Sequence, residues 1–180
     1  MKTPLLLFSV FFMLCSCKSS KTIISDSHPI HALVSSKSFE FTATSANPMV
    51  TQGMAAIANG GLVPPGSTIS RIDLTGTGNF LEIEGDSVSA NLPYFGERQF
   101  GGGYGSATGI EFNGLRENYV QEFNTDKQKY TISFQINNSS DRYMVYVDIF
   151  PNLSCVISVN MANRNSIQYN GSVNAIDKGQ

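Results

Sequence analysis

The chain has 180 residues, 41% of them hydrophobic and only 14% charged, with a formal net charge of −2. That length and apolar fraction suit one domain with one core. Lys and Arg are scattered without a run or stripe, which excludes the electrostatic footprint of a nucleic-acid-binding protein.

The N-terminus, MKTPLLLFSVFFMLCSC, sets one Lys ahead of an apolar run from Leu5 to Leu14. Such a run is too short for a hydrocarbon core of ~30 Å and reads as a signal peptide over residues 1–16. Its end, Leu14-Cys15-Ser16-Cys17, resembles a bacterial lipobox, with Leu three before the modified Cys and a small residue directly before it. The pattern implies that Cys17 carries lipid and anchors the chain to a membrane. No acidic pair follows Cys17, so the expected place is the outer membrane of a Gram-negative bacterium, facing the periplasm. Cys15 leaves with the signal, and Cys155 remains. In LSCVISV, Leu153, Cys155, Ile157 and Val159 alternate onto one face, which makes Cys155 a core residue.

Residues 17–36 read as a lipidated N-terminus and flexible tether, without periodicity. They hold the only two histidines, His28 and His31. A single β-rich domain is expected over 37–172, with a tail over 173–180. Phe39, Phe41 and Ala43 oppose Glu40 and Thr42; Leu81 and Ile83 oppose Glu82 and Glu84; Tyr130, Ile132, Phe134 and Ile136 oppose Lys129, Thr131, Ser133 and Gln135. A period of two marks half-buried antiparallel strands. Strands are expected near 38–45, 69–74, 79–84, 87–92, 107–113, 117–123, 129–136, 142–150, 153–160 and 165–170. The fold class is therefore all-β, an antiparallel meander of about 8–10 strands forming a barrel or β-sandwich. Near 50–64, VTQGMAAIA interrupts the pattern as a short helix or an irregular loop.

In the middle stands LPYFGERQFGGGYGSATGIEF, residues 92–112. Pro93 ends a strand because it cannot donate to a ladder. No Gly-Lys-Ser/Thr follows the glycines, and the dinucleotide spacing fails. A bulged connection with an aromatic cap is the expected reading. The alternative is a ligand mouth built from Tyr94, Phe95, Phe100 and Tyr104. In RYMVYVDIF, Tyr143, Val145, Val147 and Ile149 form one face and Met144, Tyr146 and Phe150 the other. That strand is covered on both sides or carries an outer aromatic patch that includes Tyr146.

The ordered set FEF (39–41), GDSV (85–88), LPYFG (92–96), GIEFNG (109–114), NY (118–119), KYTISF (129–134), Tyr143 and RNSIQYNG (164–171) resembles the uncharacterised bacterial lipoprotein family called domain of unknown function 4251. The resemblance covers about 37–172; it departs over 49–79 and at Gly96-Glu97-Arg98. It implies a lipidated, extracytoplasmic β-rich domain and no assigned activity.

With both histidines in the tether, the domain lacks a base for Ser-His-Asp or Cys-His chemistry and a histidine zinc ligand. Glu82 and Glu84 share a polar strand face near Asp86, and solvation accounts for them. Arg164 falls in a turn and is a candidate partner for Asp148. No enzyme, cofactor or metal is expected. The expected function is a lipid-anchored binding domain for a small apolar or amphipathic ligand. A structural or interaction module for an envelope protein or glycan is the alternative, and a carboxylate-dependent hydrolase the third.

Overall fold

The period of two becomes ten antiparallel strands in the computed structural model, which describes residues 23–61, 63–97, 109–138 and 141–176, without the side chains of 54 and 57–59. They are β1 (Ser38–Pro48), β2 (Ile72–Asp73), β3 (Phe80–Glu84), β4 (Ser87–Leu92), β5 (Ile110–Leu115), β6 (Glu117–Asn124), β7 (Lys129–Asn138), β8 (Asp141–Ile149), β9 (Ser154–Met161) and β10 (Ile167–Ala175). Among the described residues two short helices join them, α1 (Pro29–Ser36) before β1 and α2 (Gln52–Asn59) after it. Each strand expected from sequence is present, and the 50–64 interruption contains α2. Cys17, Phe100 and Tyr104 lie outside the described residues.

The sheet order is β5-β4-β3-β1-β10-β9-β8-β7-β6, with β2 paired beside β1. Apart from β1 beside β3, neighbours in space are neighbours in sequence within each half, and β1 and β10 join the two halves of the order. The two outermost strands of this order are consecutive. β5 pairs with β4 and β6 pairs with β7, so Ile110–Asn124 behaves as one bent strand that turns the sheet into a nearly closed barrel. Asn138 Nδ2 of β7 donates to Glu111 O of β5 at 2.9 Å across the seam.

The inward residues fill the barrel. Phe39, Phe41, Leu81, Ile83, Ile132, Phe134, Val145, Ile157 and Tyr169 are all fully buried. The register of β1 against β10 skips Thr44, a bulge that moves Ala46 to the inside. Opposite the bulge stands Gly171, where a Cβ would lie 2.0 Å from Thr42 O. Only glycine fits that approach. At Glu84-Gly85-Asp86-Ser87 a two-residue connection joins β3 to β4, with Gly85 at φ +58° as such hairpins require.

The barrel has a lower end, where β1 starts, and an upper end, where it finishes. α1 lies across the lower end with Ile30 and Val34 fully buried in the core. His28 caps its N-terminus, its Nδ1 accepting from Ile30 N at 3.3 Å, and Pro29 supplies a first-turn residue that needs no hydrogen bond. This corrects the expectation of a flexible tether through residue 36. Ile30 and Val34, four apart on one face, are the helical signal in that segment. At the other terminus Val173 is buried, so the domain also runs past 172.

Candidate functional site

The upper end holds the sequence-predicted aromatic cluster. Tyr94 Oη donates to Glu97 O at 3.2 Å and Asn165 O at 3.0 Å, and Phe95 packs against the core. Arg164 lies 5.2 Å over the Tyr94 ring. Its guanidinium is almost wholly buried, donates to Gly109 O at 2.9 Å, and pairs with Asp141 at 3.5 Å. The partner is therefore Asp141; Asp148 instead holds Lys129 and accepts from Thr131 Oγ1 at 2.7 Å. Tyr169 Oη donates to Pro93 O at 2.8 Å, and burial pushes its phenol up. These bonds make Tyr94 and Phe95 a cap first. Tyr94 also edges an open depression of about 290 Å³ with Thr77, Asn79, Asn91, Pro93, Gly109 and Glu111. Asn79 is committed to the fold, accepting from Ala43 N at 2.8 Å and donating to Ala43 O at 3.1 Å.

That depression opens a trough that runs down the outer face of β3, β4 and β5. A second depression of about 370 Å³ shares Asn91 and Glu111 with it, and a third of about 210 Å³ shares Ser89 and Asn113 with the second. Strand register orders the floor in cross-strand rows: Phe80–Asn91–Glu111, then Glu82–Ser89–Asn113, then Glu84–Ser87 with the exposed Leu115 at its β5 edge. Successive rows lie ~7 Å apart along the strands, and neighbouring strands ~4.8 Å apart. Ser89 Oγ donates to Glu82 Oε2 at 3.0 Å, so one carboxylate is already oriented. Phe80 and Tyr94 stand at the upper end of the trough. Sequence reading singled out Glu82 and Glu84 but missed Asn91, Glu111 and Asn113. Their signal was the polar half of each strand's alternation, which gains meaning only when the register sets the halves side by side.

Tyr146 lies on another wall, on the outside of β8, 41% exposed and between Ser133 and Ser158. Tyr143 faces inward against Phe112, ring centroids 5.3 Å apart. The structure therefore does not gather Tyr146 with Tyr94 and Phe95, nor with Tyr143.

At the lower end His31 belongs to the folded domain, which corrects its assignment to the tether. Its Nδ1 meets Tyr130 Oη at 2.8 Å, and its ring stands edge-on to Phe123 and Tyr130. A phenol and two aromatic rings are its packing partners. Burial pushes the Cys155 thiol far above its ordinary value, with Asp148 adding to the shift, which disfavours the thiolate. Arg116, at the corner between β5 and β6, lies 3.5 Å over the Tyr119 ring and reaches Asp86 at 3.3 Å. Among the described residues no group of three His, Cys, Asp or Glu side chains is placed to hold a metal ion.

The family described as "Domain of unknown function (DUF4251)" matches residues 25–173. The fold is similar to the crystal structure of a DUF4251 family protein from Bacteroides eggerthii DSM 20697, with a TM-score of 0.56 and 12% identity over 83% of this chain and 87% of that one. No curated protein matches the chain. The match takes in α1 and runs into β10, the last strand of the barrel, and the chain belongs to the DUF4251 family.

Proposed function

We propose that this chain is a non-catalytic, lipid-anchored binding module of the cell envelope, and that its ligand is a saccharide chain laid in the trough on β3–β5. The observation that carries the reading is the order of the floor. Its rows set Asn91 beside Glu111, and Ser89 between Glu82 and Asn113, so amide, hydroxyl and carboxylate groups line adjacent strands, and Phe80 and Tyr94 sit at one end. Asn side chains both donate and accept, and carboxylates accept from paired hydroxyls. An aromatic face supplies apolar area beside them. The carboxylates favour neutral or amine-bearing sugars over acidic ones. An apolar ligand inside the barrel has less support, because side chains fill the interior described. The lipobox at Cys17 supports placement in the outer membrane, facing the periplasm.

The test is a glycan array probed with the chain from residue 18 onward, then calorimetry on the hits with wild type and N91A/E111A/N113A. These three side chains are exposed, so the variant keeps its fold. Each lost hydrogen bond removes ~0.5–1.5 kcal/mol, so affinity should fall by about tenfold or more. Absence of saccharide binding, or unchanged affinity in the variant, overturns the reading. Release of reducing ends from a bound glycan would replace it with a carboxylate-dependent hydrolase.

A further inference from the structure

The lower end differs from the rest of the surface in what α1 shows outward. The helix buries Ile30 and Val34, yet its other side is not polar throughout. Pro29, Ala32 and Leu33 join Leu153 and Ala175 around an open apolar groove of about 420 Å³. Leu153 is kept there by a left-handed backbone, φ +61°, which a bulky side chain rarely adopts. Two hydrogen bonds pin that turn, Leu153 N to Phe150 O at 2.9 Å and Val173 N to Leu153 O at 3.0 Å. Ile23, 76% exposed, precedes Ile24, whose N donates to Gln128 Oε1 at 2.7 Å in the turn between β6 and β7.

The length of chain before this pole names what covers it. Cys17 precedes Ile23 by 23 − 17 = 6 residues. A fully extended chain gains at most ~3.6 Å per residue, so Ile23 stays within about 22 Å of Cys17. A tether through residue 36 would have left the domain free to turn; α1 takes up that slack. We propose that this apolar pole, made of Pro29, Ala32, Leu33, Leu153 and Ala175, rests on the surface of the bilayer that holds the acyl chains of Cys17. The inference rests on the lipidation of Cys17. Acyl anchoring holds the pole at high local concentration beside the bilayer, so a modest apolar contact suffices. Asp26, Glu84, Asp86 and Asp126 stand exposed near this end beside Lys37 and Lys127, so charge favours no anionic headgroup; the contact is apolar burial at the interface.

The chain has no tryptophan, so one introduced indole reports alone. L33W places it at the pole, A32W serves if L33W misfolds, and Y146W places it on the β8 wall. Full-length protein carrying its lipid is reconstituted in phosphatidylethanolamine–phosphatidylglycerol vesicles containing dibrominated phosphatidylcholine. The expected result is blue-shifted emission, quenched severalfold more for the pole variants than for Y146W. Equal background quenching at both places in acylated protein overturns the contact and leaves the anchor standing. A mass spectrum without acyl groups on Cys17 overturns the anchor and the contact with it.

Discussion

At the lower end of the barrel α1 lays Ile30 and Val34 into the mouth, and the closure is apolar contact. At the upper end the Arg164 guanidinium, the Tyr94 and Tyr169 hydroxyls and the Asp141 carboxylate meet backbone carbonyls and one another. An apolar closure tolerates changes of shape, because many arrangements bury similar area. A polar closure does not, because each buried donor must find its acceptor. The exacting end is also the one that edges the trough: Arg164 fixes Gly109, and Tyr94 lines the same depression. The tolerant end adjoins the chain that leads to Cys17.

The largest effect should come from breaking the polar end. Arg164→Leu leaves the largely buried Asp141 carboxylate without its guanidinium partner. Removal of one member of a buried pair costs ~3–5 kcal/mol. Denaturant unfolding should show a loss of that size. R164L/D141L should recover most of it, since an apolar pair of similar volume replaces a buried ion pair at little net cost. Equal instability of the single and double variants would mean that lost packing, rather than an orphaned charge, governs this end.

Ile30→Ala tests the apolar end. The side chain is fully buried, and truncation to Ala costs ~2–5 kcal/mol through lost burial and the cavity left. Ile30→Leu should cost under ~1.5 kcal/mol, because the volume is conserved. No change in the unfolding midpoint of I30A would show that the barrel folds without α1 and that the domain does start near residue 37.

The barrel wall was legible in sequence because alternation is local. Tyr130, Ile132, Phe134 and Ile136 announce both a strand and its inner face without reference to any neighbour. α1 was not legible as part of the domain, since eight residues with two core contacts give too little periodicity to count. The trough was invisible for another reason. Asn91, Glu111 and Asn113 are ordinary solvent-side residues until pairing of β4 with β5 sets them in rows. Arg164 was read against Asp148, yet Lys129 already stands beside Asp148 on the paired strand, and Asp141 lies nearer the upper end. Sequence spacing does not carry that information.

High pH separates the ends again, at about 1.4 kcal/mol per pH unit for each group. Cys155 lies toward the lower end and Tyr169 toward the upper, and burial raises both above their ordinary values of 9.0 and 10.0. Above pH 9.0 the unfolded thiol releases its proton while the folded one keeps it. The native state then binds more protons, so stability falls as pH rises. Tyr169 adds a second, steeper limb above pH 10.0, to which Tyr119 and Tyr130 contribute because burial raises their phenols as well. Thermal midpoints of C155A should stay flat between those values where wild type declines. A parallel decline in both proteins would place the first titration elsewhere.

The smallest effect belongs to a polar bolt at the tolerant end. Tyr130 Oη meets His31 Nδ1 at 2.8 Å and ties α1 to β7. Tyr130→Phe keeps the ring contacts with His31 and Phe123 and removes only the hydroxyl. His31 is partly exposed, so water can take the vacated position, and the loss should be ~1 kcal/mol. The same deletion at Tyr169 strips a fully buried phenol of its bond to Pro93 O and should cost more. If Tyr130→Phe proves the costlier of the two, the lower end depends on a matched hydrogen bond as much as the upper one does, and apolar tolerance is no longer what distinguishes it.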